Sequence, residues 1–195
     1  MGAKATTSFL IGILACIAFS VATAIKIDVP NTKLSLTIDA KLTEDKTSVE
    51  DFGDDFAEYA QDVSQHGFET ANGVYGTVLA FHLKKEHEEV TEEWSEMAAE
   101  GIASIASGEV KLTRRESAKF GSATAHLISL SVEESGKTVN SQFVVIGKKG
   151  EVIVIALTSD SDNLGATKEV EEIINTLSYD GQKCADRKEV TAKPE

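Results

Sequence analysis

Four stretches rich in Val, Ile and Thr follow one another between residues 109 and 160: "EVKLTRRE", "SATAHLISLSVEE", "KTVNSQFVVIG" and "EVIVIALTSD". β-Branched residues at this density favour extended chain, because their side chains are stiff at the first torsion and pack well on a pleated surface. The "SG" and "KKG" connections are far too short for the dozen or more residues that a parallel crossover needs. Successive strands therefore pair antiparallel, as a meander. Any fold for this chain is built around that sheet.

Upstream, Leu34, Leu36, Ile38, Ala40 and Leu42 recur at a period of two, the pattern of a half-buried strand. Ile25, Ile27 and Val29 alternate in the same way before Pro30 and Asn31, giving a short lead-in or edge piece. In "SVEDFGDDFAEYAQDVSQHG" the period changes. Val49, Phe52, Phe56, Tyr59 and Val63 recur at steps of three and four, with Ser48 placed to cap and Gly67 to terminate, which predicts a helix weakened by Gly53.

"FETANGVYGTVLAFHLKK" reads as two strands around Asn72-Gly73, the strongest short hairpin signal. Thr91 to Gly108 predicts a second helix: Thr91 as N-cap, acids in the first turn, and Gly108 as stop. Its apolar stripe holds Trp94, Met97, Ala98, Gly101, Ile102 and Ile105, and Trp94 on that stripe reads as core. A third helix follows the meander, with Ala166, Val170, Ile173, Ile174 and Leu177 on one side. Residues 181–195 show no periodicity and read as a disordered polar tail. The expectation is a single domain over 25–180 of the α+β class, a largely antiparallel sheet flanked by helices.

Residues 1–24 read as a secretory signal peptide: Lys4, an apolar run from Phe9 to Ala18, and Ala22 and Ala24 in the A-x-A spacing of a cleavage site. The run is too short for a membrane span of about 20 residues. Two alternatives stay open. "ILAC" at Cys16 resembles a lipobox, although Leu14 is bulky there and the residues after Cys16 remain apolar; an uncleaved anchor is the other. Cleavage leaves Cys184 as the only thiol, so the mature chain forms no internal disulfide. The leader holds one Lys and no acid, so the formal charge goes from −13 to −14 on its removal. That balance argues against nucleic acid and anionic lipid, both of which need a basic footprint.

No residue is singled out as catalytic, cofactor-binding or metal-ligating, and no cofactor is expected. Asp160, Asp162, Gly165 and Glu171 fall at positions 1, 3, 6 and 12 of a calcium loop, but Leu164 and Lys168 occupy two ligand positions. His66, His82, His87 and His126 match no zinc spacing. Neither G-x-S-x-G nor another nucleophile motif is present. The acidic runs "EDFGDDFAE" and "KKEHEEVTEEWSE" read first as solvated helix faces, and second as a surface for cations or a basic partner.

A secreted chain with a "KLSLTID" strand, a "GVYGTVLAFHL" hairpin strand, a long helix, a four-strand meander and a closing "EIINTLSY" resembles the DcrB-like envelope proteins. More broadly it resembles the PsbP-like fold. The likeness spans most of residues 33–180, and only "IINTL" is nearly literal. It implies a PsbP-like α/β/α sandwich and a non-enzymatic periplasmic or secreted accessory protein. Such a protein acts by binding an envelope protein partner, with roles in envelope homeostasis and phage adsorption. Two departures stand out: the poor lipobox at Cys16, and the acidic segment over residues 48–66, which the family lacks. The other readings are a secreted cation- or small-ligand-binding module and an enzyme of unrecognised type. N-terminal sequencing and intact mass of protein taken from cells are expected to give Ile25 as the first residue; a diacylated Cys16 would replace that reading with a lipoprotein.

Overall fold

The computed structural model describes residues 24–190 apart from 53, 107, 108 and 135. The expected leader, its Cys16, and the glycines at 53 and 108 lie outside the described residues. The chain opens with β1 (Ile25–Asp28), β2 (Leu34–Ile38) and β3 (Thr43–Asp45), then a 3-10 turn over Val49–Phe52 and α1 (Asp54–Tyr59). A hairpin of β4 (Ala60–Glu69) and β5 (Tyr75–Leu83) leads through a second 3-10 turn (Lys85–Val90) into α2 (Thr91–Ser104). The meander is β6 (Val110–Phe120), β7 (Ala123–Glu134), β8 (Lys137–Lys148) and β9 (Glu151–Asp160). It is followed by α3 (Leu164–Thr176), β10 (Ser178–Tyr179) and β11 (Gln182–Glu189).

These strands form one antiparallel sheet in the order β1-β2-β10-β11-β6-β7-β8-β9-β5-β4-β3. The expected PsbP-like α/β/α sandwich of the α+β class is therefore corrected: among the described residues a single 11-stranded sheet dominates, and three helices of 6, 14 and 13 residues are too short to make layers on it. Two segments account for the difference. The helix read over 48–67 ends at Tyr59, and "AQDVSQHGFE" becomes β4, paired with β5 from Ala60↔Leu83 to Glu69↔Tyr75. Asp, Val, Ser, His and Gly are weak helix formers, so a long ladder outweighs the local period. Part of the tail read as disordered is also corrected, since Gln182–Glu189 pairs with β6 as β11, while residues 191–195 lie outside the described residues.

The sheet is strongly curled. β2 and β3 lie nine strand spacings apart in the order, about 43 Å if the sheet were flat. They are joined through residues 39–42 only, a link that reaches about 18 Å at full stretch. Bulges between Leu112 and Arg114 and between Ala185 and Lys188 supply local bends.

The central strands are apolar on both sides. Along β9, Ile153, Ile155 and Leu157 join a core formed with β2 and α3, while Val152 and Val154 belong to a second core under α2. Val144 and Ile146 against Val145 divide β8 in the same way. In the first core α3 presents Ala166, Val170, Ile173 and Ile174, all buried. Its N-terminus is capped by Asn163, whose Oδ1 accepts from the Ala166 amide at 3.1 Å. Thr91 is not the N-cap of α2 that the sequence suggests. Its hydroxyl instead donates to the Glu88 carbonyl at 2.6 Å and accepts from the Gly150 amide at 2.8 Å, pinning the helix start to the β8–β9 turn. α2 lies flat on β8 because Gly147 has no side chain: a Cβ there would meet Ser95 Oγ at 2.5 Å and the Thr91 carbonyl at 3.0 Å.

Ile173 is 1 % exposed at the centre of the first core. Ile173→Asp is expected to lower stability by about 4 kcal/mol or more, through an unpaired buried charge; an unchanged thermal midpoint would contradict this account of the core.

Candidate aromatic cleft

The 3-10 turn and α1 stand beside α2 on the same side of the sheet, and the two do not close over the strands between them. The turn is held by Asp51, whose carboxylate accepts from the Ser48 amide at 2.7 Å and the Ser48 hydroxyl at 3.2 Å. These bonds hold the Asp51 carboxyl below its ordinary pKa. The far end of α1 is fixed by Lys84, whose ammonium donates to the Ala57 and Glu58 carbonyls at 2.8 and 2.9 Å. A cation on the last carbonyls of a helix meets its negative dipole end.

Between these walls lies a cleft of about 470 Å³, within the ordinary range for small-ligand sites. Its floor is Leu79 of β5 with Val152 and Val154 of β9. One wall is Phe52, Phe56 and Tyr59; the other is the α2 stripe from Trp94 to Ile105. The rings touch edge to face: Phe52 and Phe81 have centroids 5.1 Å apart at 79°, and Phe56 and Trp94 5.4 Å apart at 79°. Tyr59 leans on Trp94 at 5.3 Å and on His87 at 4.8 Å. Edge-to-face contact is the favoured geometry of aromatic pairs, so the wall is braced.

Trp94, read as core, is 8 % exposed and at the same time forms part of the cleft wall. The rim is apolar and open to solvent, with Met97 59 % exposed and Phe56 36 % exposed. A Cβ on Gly101 would meet nothing within 4 Å, so the α2 wall is open there. Among the described residues the lining offers apolar surface and ring faces, with the Tyr59 hydroxyl as its sole side-chain oxygen. Such a site can bind the apolar part of a molecule.

The other residues weighed from the sequence are dispersed. Asp160 accepts from the Asp162 amide at 3.0 Å, Glu171 lies 3.7 Å from Arg114 and accepts from Gln142, and Lys168 faces Glu172, so the calcium-like spacing does not converge. Among the described residues no three His, Cys, Asp or Glu side chains gather as a metal requires. His82 lies 3.8 Å from Asp62 in a polar groove that also holds Glu44 and Asp45. His66 is buried in β4, and burial pushes the pKa of His126 in β7 down. Cys184 is half-buried on β11, opposite Phe120.

A buried polar pair joins β10 to β9. Tyr179, 1 % exposed, donates to the Glu151 carboxylate at 2.5 Å, and burial and that bond raise its pKa well above the ordinary value. Beside it, Lys148 bonds Asp180 at 3.1 Å and holds that carboxyl below its usual range. A phenol so held is a fastener, not an acid or base at neutral pH.

No protein-family model and no curated protein matches the chain. Among solved structures, a crystal structure of a Bacteroides thetaiotaomicron protein is similar at 14% identity and a TM-score of 0.45. That likeness covers 81% of this chain and 48% of the other, so the chain spans about half the length of the structure it matches.

Tyr179→Phe is expected to cost about 1–3 kcal/mol, because the buried Glu151 carboxylate loses its donor; chemical denaturation measures it, and an unchanged midpoint would show that Glu151 finds another partner.

Proposed function

We propose that this protein is a non-enzymatic binding protein that seats the apolar part of a small ligand in the cleft between α1 and α2. The observation that carries this reading is the braced aromatic wall facing an open apolar stripe. A helix stripe that served packing alone would be covered, whereas Met97 stands 59 % exposed above buried rings. Such concave, mostly apolar sites are the usual form of small-molecule pockets. The leader-like residues 1–24 support placing the protein in the periplasm or outside the cell.

The DcrB-like resemblance supports a second reading, an accessory role in which the same cleft receives an apolar side chain of an envelope protein. Solvent-exposed Phe56 and Met97 at the rim favour it, since large apolar residues around a pocket are what protein interfaces bury at their centre. Cross-linking in the native envelope separates the two: a reproducible protein adduct at the rim supports docking.

The ligand reading is tested with N-phenylnaphthylamine, a neutral probe that brightens in apolar surroundings. Saturable binding is expected, quenched or shifted together with Trp94, the sole tryptophan. Met97→Asp is expected to weaken it by roughly tenfold or more while leaving stability within about 0.5 kcal/mol, as befits an exposed position. Absence of binding to the unaltered protein, or equal binding by the variant, would refute the assignment.

A further inference from the structure

On the face of the sheet opposite the cleft, the apolar pattern breaks off in step on neighbouring strands. Directly paired residues share a face, and the row Leu127, Val144 and Ile155 is buried core. Two residues further along, the row is Arg114, Ser129 and Gln142, ending on the still-apolar Leu157. Two further, it is Ser131, Asn140 and Ser159. The polar members of these rows floor a groove of about 360 Å³, walled by the flank of α3 at Thr167 and Glu171. Ser159 is 2 % exposed, and Ser129, Ser131, Asn140 and Gln142 are half-buried, so the rows are not plain surface. The charged groups are fixed among themselves. Arg114 lies 2.7 Å from Glu116 and 3.7 Å from Glu171, and Glu171 accepts from the Gln142 amide at 3.2 Å. The second Glu116 carboxylate oxygen is buried with no hydrogen-bond partner among the described residues.

From this lining we infer that the groove is a second binding site, for a neutral polyhydroxylated ligand: a sugar of one or two rings, whatever occupies the aromatic cleft. Serine hydroxyls and the Asn140 amide both donate and accept hydrogen bonds, as sugar hydroxyls do, so the two sets can satisfy each other in either sense. An ionic ligand is disfavoured, because Arg114 and Glu171, the charged side chains of the lining, offset each other. An apolar ligand finds little beyond Leu130 and Val170, and it would strip water from the hydroxyls and amides without replacing those bonds. A peptide strand has no edge to join, since β7 and β8 are paired on both sides. Recognition is therefore left to side chains. The lining holds no ring to stack on among the described residues, so hydrogen bonds alone hold the sugar and its affinity is in the millimolar range. The volume is near the lower end of small-ligand sites, which run from about 300 to 1,000 Å³.

The test uses the purified, isotope-labelled protein with glucose, N-acetylglucosamine and maltose as neutral probes, and glucosamine and glucuronate as charged counterparts. The side-chain amide signals of Asn140 and Gln142 in proton–nitrogen correlation spectra report the groove directly. Saturable shifts of both signals are expected with at least one neutral probe, and several-fold weaker binding of the two charged sugars. The double variant Ser131→Ala with Asn140→Ala is expected to weaken the sugar roughly tenfold or more, read at Gln142, because two hydrogen-bonding groups are lost. Its thermal midpoint and its binding of N-phenylnaphthylamine should stay as they were, and Met97→Asp should keep sugar binding intact. No saturable shift with any of the three neutral sugars, or shifts confined to residues outside the groove, would overturn the assignment. Equal affinity in the double variant would do the same. Tighter binding of glucosamine or glucuronate than of glucose would overturn the neutral character of the ligand.

Discussion

Strands β8 and β9 carry apolar side chains on both faces, so neither face can be left to water. On one face α3, β2 and β10 complete the cover, with Leu34, Leu36, Ile38, Ile173 and Tyr179 buried to within about a percent of full closure. On the other the cover is α2, seated on β8 at Gly147 and tied to the β8–β9 turn through Thr91. A helix of 14 residues shields only the strands beneath it. β5 and the outer part of β9 would be exposed but for the aromatic residues of the turn and α1. The cleft is the gap between those two incomplete covers.

That origin explains why the site is rigid on one side and apolar throughout. The floor belongs to the sheet, whose ladders from β4 to β9 leave it little freedom. The walls are braced by ring contacts and by the hydrogen bonds of Asp51 and Lys84. The acids on both walls have a structural role of their own in solubility and at helix starts.

Much of the element pattern was legible locally. The meander followed from β-branched runs and two-residue turns, the β4–β5 turn from Asn72-Gly73, and α2 and α3 from their stripes. The misreadings share a cause. Phe52, Phe56 and Tyr59 recur with a helical period, and extending that period through Val63 implied a longer helix; Ala60 onward found a partner strand in β5 instead. Lys183 to Glu189 has no apolar periodicity because β11 is an exposed strand held by its ladder to β6, and backbone pairing leaves no mark on side-chain type. The cleft was hidden for a different reason. A stripe such as Trp94, Met97, Gly101 and Ile105 looks the same whether protein or ligand covers it.

Local pattern and composition suffice for the antiparallel sense of the meander, the two longer helices and the acidic balance, because each depends on neighbours within a few residues or on composition alone. The extension of the sheet to eleven strands, and its curl until β2 and β3 could be joined by four residues, came from long-range packing. Tertiary packing also brought α1 and α2 together at Trp94 and left the cleft beyond that contact. Those outcomes depend on which distant strand supplies a hydrogen-bonding edge and on how far one helix can reach across a face, and neither is encoded in a local period.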